Sequence, residues 1–549
     1  MRGTPAAAQP QVEEFLAQLR RHIAAREVGS GISCLRSQIQ IIDRLDPLQD
    51  NAARLVAHFA VWVDIGYDGL QRLNELLKRF EPRYRSRLSV ADYIYLRMAE
   101  GMVALREEAM QPAISHFDFV LGLGEELNDE FLVAIVYFWK GRCLRRRGEY
   151  DEALIYTCKG RDVALKLGHL GMAAVMKVLE SWLLFQQGKP KDAARISHEA
   201  ETVLAETDDY VTLGNIQSFY GRMARREGQY EKAIERFERA IGLYGKRDPQ
   251  HPNLARSLAN MALAKREIAV QLQRRIDQDV ERHRKTPLKP GSKGTAQRTE
   301  RRERLNCLRR EALQHLEDAS AIYSQHPNHH GAGTVRLNAA YLHLDNGDYE
   351  RADAESTSAY RLAQEKRDSI LMGRARILQC MIENARVEEE INEGADAGGH
   401  ARRALESIQE AVDLAKNTQA HPLLANAYIW QGITHCNSFF DNPDAARESY
   451  DLARSYCKGS QSGHLWQDLQ TLRSRILRKG TVDPNLKAWS LGAVGDKTFQ
   501  QITEEFADIV IPRVWEREGR KVSRVAARLS ISPKKVRRIL DRVGRRKRS

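Results

Sequence analysis

Three segments of this 549-residue chain carry the same kinds of residue at the same spacing. Each segment opens with a small residue, which is Gly141, Gly221 or Ala340. Further along, each has a glycine, a tyrosine and an alanine in register: Gly148, Tyr150 and Ala153; Gly228, Tyr230 and Ala233; Gly347, Tyr349 and Ala352. Small residues let paired helices approach closely, and a glycine ends a helix readily in the left-handed conformation. The pattern therefore predicts repeated hairpins of two helices.

Weaker copies of the pattern lie between and around these three segments. Their matching positions are Gly101, Ala113 and Phe117; Gly188, Pro190, Ala193 and Ala200; Ala312, Leu316 and Ala319; Ala404, Ile408 and Ala411; and Gly432, Ala446, Tyr450 and Ala453. The composition, 42% hydrophobic and 29% charged, fits a soluble globular chain, and Ala, Leu, Arg and Glu favour helix. We therefore predict an all-α fold.

Over roughly residues 50–480 the pattern resembles the tetratricopeptide repeat. This resemblance implies an α-solenoid, a superhelix of stacked helical hairpins, which we assign to residues 1–480. It also implies that the concave face binds an unidentified protein or peptide. A helical bundle without repeats is the alternative fold.

Two stretches interrupt the repeats. Residues 272–305 contain two prolines and many charges, and they predict a long basic loop between the two helices of one hairpin, with frayed helical ends. We interpret this insertion as a flexible tether in preference to a nucleic-acid contact. Residues 391–402 predict a small polar loop.

The net charge of +13 is concentrated in two places. Residues 512–549 carry 15 Lys and Arg against three acids, and residues 274–310 carry 13 against five. The remainder of the chain is acidic. A concentrated basic patch is typical of a polyanion-binding surface, whereas a solvated basic tail is the structural alternative.

The C-terminal basic stretch, residues 512–549, contains a pattern of two short helices within residues 518–544. Ser532 is a good N-cap and Pro533 suits a first helical position, so a helix is predicted to begin there. The apolar positions of the two helices have helical spacing: Val522, Val525, Ala526 and Leu529 in the first, and Val536, Ile539 or Leu540, and Val543 in the second.

This stretch resembles the helix-turn-helix of Fis-type proteins, although Ser530 stands where that motif usually has glycine. The resemblance implies a DNA-binding module over residues 497–549, joined to the repeats by a linker at 481–496. The start of its second helix would enter the major groove of duplex DNA. The candidate DNA-binding residues are Arg520, Lys521, Ser523, Arg524, Ser532, Lys534, Lys535, Arg537, Arg538, Arg542, Arg545 and Arg546, and the tail residues Lys547 and Arg548 would add phosphate contacts.

Within this module, the segment before the two short helices predicts an amphipathic helix over residues 498–511, broken at Pro512. In Fis-like proteins the preceding helices often form the dimer. A homodimer is therefore possible for this chain.

The functional interpretation is a cytoplasmic, bacterial-type transcriptional regulator that associates with the nucleoid when bound to double-stranded DNA. The first residues lack the apolar core of a signal peptide, and no apolar run approaches the roughly 20 residues that span a membrane. We name no catalytic residues, cofactor or metal ligands, and we do not expect an enzyme. The alternatives are a scaffold that docks acidic protein partners, or RNA, through the basic end. An RNA-binding role for residues 274–310 is disfavoured because they include no Phe, Tyr or Trp.

Overall fold

The computed structural model describes residues 9–127, 129–282, 293–326, 329, 331–393, 395–457, 464–479, 489, 492 and 494–546. Every regular element within those ranges is an α-helix. In chain order the helices are α1 Gln9–Ala25, α2 Val28–Ser37, α3 Ile39–Asp43, α4 Ala52–Ile65, α5 Leu70–Arg79, α6 Pro82–Arg85, α7 Val90–Arg106, α8 Met110–Gly122, α9 Gly124–Leu127, α10 Glu130–Arg147, α11 Tyr150–Lys166, α12 Leu170–Gln186, α13 Pro190–Leu204, α14 Tyr210–Arg226, α15 Tyr230–Arg247, α16 Pro252–Arg282, α17 Lys293–Ser324, α18 Gly331–Asp345, α19 Tyr349–Glu365, α20 Ser369–Glu393, α21 Gly398–Lys416, α22 His421–His435, α23 Pro443–Tyr456, α24 His464–Lys479, α25 Phe499–Arg517, α26 Val522–Leu529 and α27 Pro533–Arg546.

From α7 onward these helices pack as hairpins whose neighbours stack on one another. The pairs are α7 with α8, α10 with α11, α12 with α13, α14 with α15, α16 with α17, α18 with α19, α20 with α21, and α22 with α23. Each hairpin also contacts the next one along the chain. The fold is a tetratricopeptide-like helical repeat, so the predicted fold class is confirmed.

The glycines of the repeat occupy the positions that the pattern predicted. Gly148, Gly228 and Gly347 close the first helices of their hairpins with φ of 83°, 79° and 76°, in the left-handed region. At Gly221 an added Cβ would lie 2.6 Å from the ring of Phe237, because the two helices of that hairpin touch there. Helix closure and close packing thus account for the repeated glycines.

The repeat array folds back on itself. The backbone amide of Gln419, in the turn between α21 and α22, donates to the carbonyl oxygen of Gly148 at 3.0 Å. The amide of Asp151 in turn donates to Oε1 of Gln419 at 2.7 Å. Near the start of the chain, a buried ion pair joins Arg26 to Asp209 at 2.6 Å. Segments far apart in the sequence therefore hold one another in place.

The prediction of a loop at residues 272–305 is wrong over most of that range. Helix α16 continues to Arg282 and α17 begins at Lys293, so only residues 283–292 of the insertion fall outside the described part. Leu272, Ile276 and Leu305 are buried against Tyr230. Because these apolar residues have helical spacing and a surface to cover, packing extends both helices into a stretch that composition alone assigned to a loop.

The polar loop predicted at 391–402 is also shorter than expected. Helix α20 ends at Glu393 and α21 begins at Gly398. Ala397 and Ala401 are buried beside Val387, which ties the start of α21 to α20. The small residues that looked like loop residues serve here as close-packing residues.

The chain divides into two compact units, residues 1–472 and 473–549. The predicted division at Gly480 lies slightly later, and most of the predicted linker at 481–496 falls outside the described residues. Among the helices of the described residues, none is both long enough and apolar enough to cross a membrane.

Candidate functional site

Three helices of the second unit, α25, α26 and α27, enclose a small apolar core. Ile511 comes from α25, Val525 and Ala526 come from α26, and Val536 and Ile539 come from α27. All five are buried, and the α26 and α27 residues are those that the sequence pattern predicted. Since Ala526 is small, α26 can approach its neighbours closely. The core fixes which face of α27 points away from the unit.

The turn between α26 and α27 has the geometry that the sequence suggested. Ser530 ends α26 in the left-handed conformation, with φ of 52° and ψ of 42°, where the Fis-type motif usually has glycine. The backbone amide of Ile531 then donates to the carbonyl oxygen of Ala526 at 3.1 Å. Ser532 Oγ accepts from the amide of Lys535 at 3.2 Å, and Pro533 is the first residue of α27. The predicted cap and helix start are therefore confirmed.

The break predicted at Pro512 is wrong, because α25 runs from Phe499 through Pro512 to Arg517. A proline inside a helix costs about 3 kcal/mol through its lost N–H and the clash of its ring. The residues on both sides offset that cost: Ile511 is buried, and Val514 and Trp515 pack against the same core. A capping box between Thr498 and Gln501 also stabilises the start of α25.

Four cations form an exposed face of α27. Lys534, Lys535, Arg537 and Arg538 are all exposed, whereas Val536 between them is buried. None of the four side chains has a carboxylate within ion-pair distance among the described residues. These are four of the residues predicted to contact DNA, and we call them the α27 cations.

Arg542 was predicted to belong to the same face, and the structure places it elsewhere. Its Nε donates to Oδ1 of Asp508 at 2.9 Å, and its Nη1 lies 3.4 Å from Oε2 of Glu504. Both acids are on α25, so Arg542 ties α27 to α25. Its guanidinium is therefore neutralised within the unit in the absence of DNA, and its predicted contact with DNA stays a prediction.

The predicted phosphate-binding residues at the start of α26 are exposed, as are Ser523 and Ser532. The basic residues of this group are Arg520, Lys521 and Arg524. The guanidinium of Arg520 lies over the ring of Trp515, 5.6 Å from its centroid. Arg520 thus has a defined orientation, whereas Lys521 and Arg524 extend from the surface.

The basic tail was also predicted to contact DNA. Arg545 and Arg546 lie at the end of α27, and their side chains are outside the described part of the structure. Lys547 and Arg548 are outside the described residues altogether. The predictions for these four cations therefore stay predictions.

A second group of cations lies inside the repeat array, where the sequence analysis did not place a site. Arg145 on α10 and Arg222 on α14 have no hydrogen-bond or ion-pair partner for their buried Nε atoms in the described structure. The motifs GRCLRR (141–146) and GRMARR (221–226) place arginines identically within two copies of the repeat. This alignment matches Arg145 with Arg225, and not with Arg222, so no signal in the sequence joins the two residues in one site.

Two protein-family models match parts of the chain. The tetratricopeptide repeat model matches residues 212–269, which cover α14, α15 and the start of α16. A model described as anaphase-promoting complex subunit 5 matches residues 308–386 and 395–435. A comparison with curated proteins finds no match. The matched segments all lie in the repeat array.

Solved structures of helical-repeat proteins resemble the chain at low identity. The apo quorum sensor NprR from B. thuringiensis is 12% identical, with a TM-score of 0.40, over 64% of this chain and 99% of that one. The Rap conjugation gene regulator of plasmid pLS20, in complex with the Phr* peptide, is 13% identical, with a TM-score of 0.44, over 75% and 98%. The human IFIT1 dimer with m7Gppp-AAAA is 14% identical, with a TM-score of 0.43, over 85% and 95%. At these scores the likenesses carry no argument about ligands.

Proposed function

We propose that this protein is a DNA-binding transcriptional regulator in which α27 binds the major groove of duplex DNA. The observation that supports this proposal most directly is the face formed by the α27 cations. One side of α27 is buried in the core of the unit, and the other presents four cations without an acidic partner in the described structure.

The arrangement of those cations is unfavourable for the protein alone. Lys534 and Arg538 are four positions apart, and Lys535 and Arg538 are three apart, so like charges face one another on the helix surface. A phosphate backbone would neutralise them and release counterions. Ser532 and the α27 cations would then contact the groove, while Arg520, Lys521, Ser523 and Arg524 would hold backbone phosphates.

The proposal extends to the repeat array, which would bind a protein or peptide partner. Stacked helical hairpins expose a long surface suited to such a ligand. Binding of the partner would change the affinity for DNA, and by linkage DNA would change the affinity for the partner. Two copies of the chain acting as a homodimer on a pseudo-palindromic site would fit the usual geometry of this kind of motif.

The test is a binding titration of the full chain with random-sequence duplex DNA, single-stranded RNA and heparin across a salt series. We expect tighter binding to the duplex, with an affinity that falls steeply as salt rises. In the variant Lys534→Ala/Arg537→Ala/Arg538→Ala the salt slope should fall by about 3, because three phosphate contacts are lost.

The matched control is Lys191→Ala/Arg361→Ala/Arg402→Ala, which removes the same charges from exposed positions of the repeat array. It should bind duplex DNA as the parent does. If the two triple variants lose affinity equally, the attraction is non-specific and the proposed role of α27 is wrong. Preference for single-stranded RNA, or for acidic proteins over duplex DNA, would instead favour the scaffold alternative.

A further inference from the structure

Three arginines converge inside the repeat array from three different hairpins. Arg145 is on α10, Arg222 on α14 and Arg256 on α16, and each of these is the first helix of its hairpin. The charged groups that act most strongly on Arg145 are all arginines, and both Arg222 and Arg256 are among them. Arg256 is also the charged neighbour that acts most strongly on Arg222. We call these three residues the inner arginines.

The inner arginines have no carboxylate partner in the described structure, whereas several other enclosed arginines in this protein have one. The Nε atoms of all three are buried without a hydrogen-bond partner in the described structure. Five other arginines also have a buried Nε without a hydrogen-bond partner: Arg54, Arg97, Arg298, Arg309 and Arg376. Of these, Arg54, Arg97 and Arg376 pair with carboxylates, and Arg309 donates to the side chain of Gln273 and to the carbonyl oxygen of Asp345. No carboxylate pairs with an inner arginine among the described residues. One unpaired Nε is not distinctive in this protein, but three cations that act on one another without any carboxylate partner point to a missing ligand.

The side chains around the inner arginines hold two of them in position. The guanidinium of Arg145 lies over the ring of Trp182, 5.1 Å from its centroid. Nη2 of Arg256 donates to Oδ1 of Asn215 at 3.1 Å, and the hydroxyl of Tyr244 donates to the same oxygen at 2.9 Å. The cluster is therefore partly ordered before any ligand arrives, which lowers the entropic cost of binding.

The neighbouring acids do not neutralise the cluster. Glu108 pairs with Arg146 at 3.3 Å, and Asp368 also acts on Arg146. Burial and the charge of Arg256 lower the pKa of Arg222 to about 9. Burial, together with Arg146 and Arg256, holds the pKa of Arg145 well below its usual range. In the unliganded protein the inner arginines therefore repel one another, which disfavours their charged forms.

We propose that the inner arginines form a binding site for a compact phosphorylated ligand that carries two or more negative charges. A single carboxylate would cancel one of three charges, whereas a phosphate ester carries about −1.5 to −2 and a chain of phosphates carries more. Guanidinium groups also match phosphate oxygens with paired, charge-assisted hydrogen bonds. This site is separate from the α27 cations and does not depend on the proposed binding of DNA.

The test measures thermal unfolding of the full chain with sodium tripolyphosphate, pyrophosphate or orthophosphate, at ionic strength matched with sodium chloride. We expect tripolyphosphate at 1 mM to raise the unfolding midpoint by about 3 °C or more, with smaller shifts for the shorter anions. The Lys534→Ala/Arg537→Ala/Arg538→Ala variant should keep the whole shift, because the α27 cations are not part of this site.

Arg222→Gln removes one charge of the cluster and keeps a polar side chain of similar length. It should weaken tripolyphosphate binding by about tenfold or more, since charged hydrogen bonds are lost. Without ligand, the midpoint of this variant should equal or exceed that of the parent, because mutual repulsion is relieved. Arg145→Gln should behave in the same way, which guards against a folding defect in one variant. Arg239→Gln is the control, because Arg239 is an exposed residue of α15 that pairs with Glu235 on the same helix.

The proposal is overturned if tripolyphosphate gives no shift beyond that of sodium chloride, or if Arg239→Gln and Arg222→Gln reduce the shift equally. A hexaglutamate peptide that stabilises the parent more than tripolyphosphate would overturn the assignment to phosphates. Retention of duplex binding by Arg222→Gln would show that its lost tripolyphosphate shift is independent of the α27 cations.

Discussion

The two cationic groups of this protein differ in their contact with water. The α27 cations are exposed, so solvent and salt screen their mutual repulsion to a few tenths of a kcal/mol per pair. The inner arginines are only partly exposed, and their Nε atoms have lost water without gaining a partner. The same residue type is therefore inexpensive in one place and costly in the other.

An exposed cation can remain unpaired in water until a ligand binds. A cation with little access to water needs an acidic partner within the fold to offset the free energy of its lost hydration. Elsewhere in the array the offset is present, as at Arg266, whose Nε and Nη2 donate to the two carboxylate oxygens of Asp345 at 2.6 Å and 2.9 Å. The comparison predicts opposite changes in stability. The protein should become less stable when the acid that pairs with an enclosed arginine loses its charge, whereas it should be equally or more stable when an inner arginine loses its own charge.

The largest effect on stability is expected when the ion pair between Arg266 and Asp345 is broken. Asp345→Asn leaves the enclosed guanidinium of Arg266 with a weaker ion pair, at 3.6 Å, to Glu267 and with its contact over the ring of Tyr341. We expect the unfolding free energy to fall by about 3 kcal/mol, because an enclosed charge loses its main partner. Urea unfolding of the full chain, followed by circular dichroism, measures the change.

Asp444→Asn is the matched control for that measurement. Asp444 pairs with Arg447 at 2.9 Å, but its side chain is 83% exposed. The expected loss there is about 0.5 kcal/mol or less. Equal losses in the two variants would contradict the importance that we give to enclosure.

A second, smaller effect on stability is expected when His251, which lies beside the inner arginine Arg256, takes up a proton. His251 stacks on Tyr244, and burial together with Arg256 lowers its pKa to about 4. The unfolded chain takes up a proton near pH 6.5, so stability that is present above pH 6.5 is lost as the pH falls toward 4. We expect about 2 kcal/mol of the loss between pH 7 and pH 5 to come from this residue.

His251→Gln should remove that part of the acid sensitivity, whereas His198→Gln should not, because the His198 side chain is 78% exposed. Arg256→Gln should reduce the acid sensitivity partly, since burial remains the larger cause of the shift. Urea unfolding at pH 7, 6 and 5 distinguishes these cases. An unchanged pH dependence in His251→Gln would show that the imidazole does not stay neutral in the folded protein.

The helices were predictable wherever local rules and packing agree. Gly148, Gly228 and Gly347 ended helices as predicted, since the left-handed conformation is a local requirement. The loop at 272–305 and the break at Pro512 were wrong because composition and backbone rules cannot weigh a buried surface. Tyr230 and the core around Ile511 supply that surface, and each belongs to a part of the fold that only tertiary structure brings into contact.

In the candidate sites, too, features set by local spacing were predictable, and features set by tertiary contacts were not. The cap at Ser532 and the exposed face of α27 follow from short-range spacing, and the sequence predicted both. The partner of Arg542 is an acid on another helix, which spacing within α27 cannot reveal. The inner arginines needed three hairpins to converge, and no shared sequence pattern marks them, because Arg256 lies outside the GRxxRR motif and Arg145 and Arg222 stand at different positions of it.

The smallest effects separate Arg542 from Arg538 on the same helix. Arg542→Gln should lower the local stability of the three-helix unit by about 1 kcal/mol, because a partly exposed pair to Asp508 is lost, and the salt slope of DNA binding should not change. Arg538→Gln should alter stability by less than about 0.5 kcal/mol, with relief of repulsion by Lys534 and Lys535, and lower the salt slope by about 1. Hydrogen exchange of the amides of α26 and α27 in the full chain reports the local stability. A lower salt slope in Arg542→Gln would place that guanidinium on the DNA, and would mean that its pair with α25 opens when DNA binds.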